Sequence, residues 1–363
     1  MKDMSEQINA FTKDHTLITK GVLIIMMLMH HLFSSDMLNT FEVSQIVSNS
    51  TIYGHINTFC KMCVSGYAFL TAFGITKSLM EFQQQSTGSD YFPYVLRRLI
   101  KLETNLFFIF VLAIGYKRLV VHESIRSLYD IGNGFKVTYL ILDMLGLATY
   151  FDTPTINATW WYMTYSILQV IAMPFIYLIY KRWRYLALLA GWLLAPMILW
   201  GAMSFSILLP SVLMGTAFAY EAWFDKIKLL GRRNQKVIRI CVEVIIVCAA
   251  YFLCSNTDLR YCYGFAFIIP LLVFETIDPI PVLRCVLKFL GKHSTNIFLI
   301  HTFIYYYFYP YFIYSFKKDW LILLVTLAIS TGVSIIIEIL KKVFCYNYLV
   351  TKYILPLGQN SNS

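Results

Sequence analysis

Apolar runs recur along this 363-residue chain, separated by short polar or charged stretches. Most runs are too long for strands, and charges bound them rather than alternate within them, which is the pattern of helices surrounded by apolar material. Spans are predicted near 18–37, 53–76, 99–118, 159–180, 185–201, 203–222, 237–255, 260–277, 295–314 and 320–341. Crossing the hydrocarbon core takes roughly 20 apolar residues, so about ten such spans with short connections account for most of the chain. The run from Val137 to Tyr150 is shorter and carries Asp143. Counted as a span it would invert everything after it, so it reads as a re-entrant or interfacial segment on the outer side. The expected fold is an all-α polytopic membrane protein of about ten transmembrane helices. Its parts are a tail over 1–19, a membrane domain over 20–343 and a second tail over 344–363, both tails cytoplasmic.

Composition supports lipid as the solvent, since 58% of the residues are hydrophobic, 14% are charged and mean hydropathy is +0.62. A soluble domain of this length could not cover its surface with so few polar groups. Met1 to Thr19 lacks the basic cluster, short apolar core and small-residue site of a cleaved signal. The formal net charge of +10 is distributed in clusters between apolar runs, which makes it a topology signal and not a nucleic-acid surface. With the N-terminus inside, 22 of the 30 Lys and Arg residues fall on the cytoplasmic side, seven outside, and Lys61 in the second span. The eight Cys are scattered, and the Cys60-x-x-Cys63 pair has no second pair or adjacent His. Neither a disulfide framework nor a metal site is expected.

Ionisable groups inside spans are costly and therefore informative. Lys20 and His31 in the first helix are eleven positions apart, which puts them within ~20° on one face and ~16 Å apart along the axis. His31 suits general acid–base work and equally an interhelical hydrogen bond. His30 points ~100° away, toward a supporting role on a neighbouring helix. Arg97, Arg98 and Lys101 crowd one cytoplasmic helix entrance, where they could converge on a phosphate or simply anchor the helix. Ser294 and His301 share a face of the ninth span two turns apart, and the Ser65-Gly66-Tyr67 step permits close helix packing. Trp160 and Trp161 suit the outer interface. Asp143 fits an outward acceptor site or a weakly charged interfacial helix.

Together, Lys20-x10-His31, Ser65-Gly66-Tyr67, Arg98-x-x-Lys101, Trp160-Trp161-Tyr162 and Lys292-His293-Ser294-Thr295-Asn296-Ile-Phe-Leu-Ile-His301 resemble the acyltransferase 3 family of membrane O-acyltransferases, over nearly the whole chain. The resemblance implies transfer of an acyl group, commonly acetyl, from cytoplasmic acyl-CoA to a hydroxyl of an extracytoplasmic glycan or lipid-linked saccharide. It makes His31 the catalytic histidine with Lys20 as partner, and places Arg97, Arg98 and Lys101 at the donor. His30, Ser65, Trp160, Trp161, Ser294 and His301 become supporting or substrate-path residues. Lys20 and Lys101 stand where many members carry Arg, which removes a planar fork while keeping the charge. Acyl-CoA enters as a substrate, with no permanently bound cofactor. The expected partners are the donor, the acceptor and membrane lipid, and the expected location is the cytoplasmic membrane of a bacterium. The competing readings are a polyprenyl-linked saccharide flippase or another transporter, which would show pseudo-symmetric repeats, and a scaffold, which leaves the Lys20/His31 and Ser294/His301 stripes unused.

Overall fold

The computed structural model describes residues 10–85, 91–130, 134–194, 205–229, 233–256 and 262–354. The first nine residues, the end of the predicted span 185–201 and Arg260 lie outside them. The described chain is helical. In order it forms α1 (Lys13–Leu32), α2 (Ser35–Thr40), α3 (Ser50–Cys60), α4 (Cys63–Gln85), α5 (Phe92–Leu119), α6 (Ile125–Tyr129), α7 (Val137–Met144) and α8 (Trp161–Trp183). There follow α9 (Tyr185–Leu194), α10 (Phe205–Tyr220), α11 (Trp223–Leu229), α12 (Arg233–Asn256) and an irregular helix α13 (Tyr263–Ile277). Last come α14 (Pro281–Thr302), whose end passes into π-helical turns over Phe303–Phe308, then α15 (Pro310–Tyr314), α16 (Asp319–Val343) and α17 (Tyr346–Leu349).

Within the described residues each of the ten predicted runs falls on helix. Among those residues, six helices are long and apolar enough to cross a bilayer: α1, α3 with α4, α5, α8, α12 and α16. The pair α10 and α11, bent by 56°, makes a seventh. The others fall short for visible reasons: α9 has 10 residues, and α14 carries Arg284, Lys288 and Lys292 in its first half. Helices also extend beyond their apolar runs. α14 begins fourteen residues before the predicted span at 295, because its cations find partners: Lys288 reaches Asp14 at 2.5 Å and Arg284 reaches Asp278 at 3.5 Å.

The segment 137–150 contains an eight-residue helix, about 12 Å long and too short to span. Its stop is a Schellman motif: Gly146, at φ +63°, donates to Asp143 O and Leu147 donates to Leu142 O. Asp143 is 1% exposed, so it faces neither an outer acceptor nor an interface. Its carboxylate accepts from the Tyr129 hydroxyl at 2.7 Å, the Thr155 hydroxyl at 2.6 Å and the Ile156 N–H at 2.7 Å. Burial pushes its carboxyl above the usual carboxylate range, against the pull of those three donors.

The chain divides into two compact units. The first comprises Met1–Ser86, Met173–Ser294 and Lys317–Leu323. In it α1 and the first half of α14 cross at backbone contact: a Cβ on Gly21 would collide with the Leu287 carbonyl, and one on Gly291 with the Leu17 carbonyl. Only glycine allows that approach. The lead into α1 is held by Phe11, stacked on Phe224 at 4.2 Å, and by the Ala10 N–H on Asp225 at 2.6 Å. The second unit comprises Thr87–Ala172, Thr295–Phe316 and Leu324–Ser363. There Asn296 donates to Ser334 and to Glu338, and Lys341 bridges Glu338 and Asn105, so α14, α16 and α5 share one polar tie.

Candidate functional site

In the first unit, α1 carries both residues of the basic-x10-His pattern on one uninterrupted helix. Thr12 starts it with a reciprocal capping box with His15, which satisfies two N–H groups that helix termini leave unpaired. Lys20 is half-buried, and its carbonyl accepts from the Tyr67 hydroxyl of α4 at 3.2 Å. Gly66 lies against Leu23 one turn further along α1. The Ser65-Gly66-Tyr67 step is therefore the α4 surface that α1 packs upon. Ser65 itself is buried and turns its hydroxyl to Met62 O in its own helix at 2.8 Å.

The far end of α1 is clamped by a residue that sequence reasoning missed. Asn57 of α3 donates to the carbonyls of Met29, His30 and Phe33 at 3.1, 3.2 and 3.0 Å, three acceptors left open at a helix C-terminus. Its side-chain oxygen then faces His30, whose Nδ1–H donates to it at 3.0 Å and lies 3.1 Å from the Asn57 carbonyl. His30 is thus held against α3. His31, half-buried in the same last turn, holds its ring 5.2 Å from that of His30. Ser294, on α14, is buried and donates back to Gly291 O at 2.9 Å, a bond to the glycine on which α1 crosses.

The second unit gathers the remaining candidates. Arg97 and Lys101 are exposed on the early turns of α5, and the half-buried Arg98 guanidinium sits 5.0 Å over the Tyr94 ring. Trp160 is buried and donates from Nε1 to Leu299 O at 3.0 Å; Trp161 is half-buried, edge-on to Tyr162. That carbonyl also takes the Asn157 amide, while Asn157 Oδ1 accepts from the hydroxyls of Thr159 and Thr302 at 2.8 and 3.0 Å. Two residues on from Leu299, His301 is fully buried, with Nδ1–H donating to Phe298 O at 2.7 Å and its ring stacked 5.9 Å from Tyr305. The Nδ1 bond leaves Nε2 as the nitrogen with a lone pair. Asn157 and Thr302, absent from the sequence-based set, form with Thr159 a hydrogen-bonded polar cluster next to His301 in the chain. The signal of Asn157 was weak because a small amide is common at a helix start.

Several long apolar helices with polar groups buried among them make this a multi-pass membrane protein. The family model described as an acyltransferase domain, the acyltransferase 3 family, matches residues 18–339, and the chain belongs to that family. It is an acyltransferase for groups other than aminoacyl groups. Comparison with curated proteins and with solved structures gives no match.

Proposed function

We propose that the enzyme moves an acetyl or related acyl group from cytoplasmic acyl-CoA to a hydroxyl of an extracytoplasmic glycan or lipid-linked saccharide, in the cytoplasmic membrane of a bacterium. The supporting topology is about ten crossings with both termini inside, the arrangement that keeps most Lys and Arg on the cytoplasmic side. The observation that carries the reading is α1. In a family whose model begins at residue 18, this helix holds Lys20 and His31 in a single register, with His30 and Asn57 locking the turn that presents His31.

In the proposed reaction the acceptor oxygen attacks the thioester carbonyl while His31 takes the hydroxyl proton. The carbon–sulfur bond breaks, and the departing CoA thiolate is protonated by the imidazolium so formed. Lys20 supplies positive charge along the same face. Arg97, Arg98 and Lys101 hold the donor's phosphates, for which cations in two successive helical turns are suited. Trp160, Trp161, Ser294 and His301 support the acceptor path.

The test is incorporation of radiolabelled acetyl from acetyl-CoA into a glycan fraction by the purified protein in vesicles. His31→Ala is expected to lower transfer by about 10²–10⁴-fold with membrane insertion unchanged. Full transfer by that variant removes His31 from the mechanism.

A further inference from the structure

The second unit contains a cleft of about 690 Å³ that the proposed chemistry does not use. Four helices wall it: α5 from Ile109 to Tyr116, α14 and its π-helical end from Ile300 to Phe308, α15 with Phe312 and Ile313, and α16 from Ile329 to Leu340. Apart from Tyr116 and Tyr309, every lining side chain is apolar, and those two hydroxyls bond to each other. The volume lies inside the roughly 300–1,000 Å³ typical of ligand sites. A water-filled cleft with such walls would be unfavourable, so its natural content is hydrocarbon.

Position selects among hydrocarbons. Tyr346, just past α16, donates to Thr104 O of α5 at 2.7 Å, and Lys341 reaches Asn105, so α16 runs back along α5 with Leu340 toward the end that carries Arg97, Arg98 and Lys101, while Lys117 and Arg118 follow Tyr116 at the other end. From Ile329 to Leu340 the wall rises about 16 Å, close to one leaflet of a core about 30 Å thick. The paired hydroxyls mark the end remote from Arg97, Arg98 and Lys101, and beside them Tyr306, Tyr307 and Tyr311 are 51%, 40% and 83% exposed. A long-chain donor would present its phosphates at the opposite end of α5. We infer that the cleft seats the hydrocarbon tail of a lipid-linked acceptor, with its saccharide head at the tyrosine rim. This rests on the acyltransfer reading above and specifies its acceptor as membrane-anchored.

The experiment measures binding of a radiolabelled polyprenyl phosphate to the full chain in phosphatidylglycerol nanodiscs, without acyl-CoA. Wild type is expected to bind it saturably and to hold it against excess phosphatidic acid. Ala113→Trp and Ile337→Trp fill the cleft from two helices and are expected to bind about tenfold more weakly. Val111→Trp, on an exposed part of α5 outside the lining, is expected to bind as wild type does. Displacement by phosphatidic acid on equal terms overturns the inference, as does wild-type affinity in cleft-filling variants with native melting curves. If neither Trp variant folds, the wild-type competition alone decides. A protein that acetylates a free glycan but shows no polyprenyl preference overturns this inference only; one that transfers no acetyl overturns the functional reading, whatever it binds.

Discussion

Arg98 differs from its neighbours because its guanidinium lies against Tyr94 while Arg97 and Lys101 project freely. An oriented planar cation is the better phosphate ligand of the three. Arg98→Ala is expected to raise the KM for acyl-CoA by roughly tenfold or more with little change in kcat; an unchanged KM returns the residue to helix anchoring. Asp143 makes a prediction about stability. A carboxyl whose folded pKa is raised favours the fold while protonated, and that contribution is lost as pH rises through the folded-state value. The melting temperature of wild type should therefore fall relative to Asp143→Asn as pH is raised from about 4, and parallel curves would refute it. His31, Lys20 and the α5 cations were readable in the sequence because an ionisable group in an apolar run stands out. Asn57 and Asn157 were not, since their long-range partners lie 24 to 145 residues away and nothing in the sequence marks the match.

At the scale of elements, the crossing of α1 on α14 positions both the His31 helix and Ser294. Gly21 and Gly291 meet opposite backbones, so a methyl group at either forces the helices apart. Gly291→Ala is expected to lower stability by about 1–3 kcal/mol and to cut transfer in the same protein, read by melting curves and acetyl incorporation. A fully active, equally stable variant would show that the crossing does not set the site. Helix existence was legible from hydropathy, because within the described residues each predicted span falls on helix. Helix ends were not, because α14 continues through polar turns whose charges are satisfied by distant partners such as Asp14. The short reach of α7 was only half visible: length and Asp143 argued against a span, but the buried Tyr129–Asp143–Thr155 knot is a tertiary fact.

For the whole molecule, Cys285 and Cys345 are exposed and lie at the ends that the proposed topology assigns to the cytoplasm. A variant retaining only these two thiols should react with a membrane-impermeant maleimide in inverted vesicles and remain unlabelled in right-side-out ones. Labelling of the two from opposite sides would break the proposed topology between α14 and α16. The π-helical turns that follow His301 carry a consequence of another kind. Each turn there takes up an extra residue, so the phase of the helix after Phe308 differs from that of a plain α-helix continued from Thr302. Deleting one residue from the Tyr305-Tyr306-Tyr307 run would leave hydropathy almost untouched yet rotate everything beyond it by about 100°. The aromatic rim would then face away from the cleft, a loss of function that a hydropathy profile would not register.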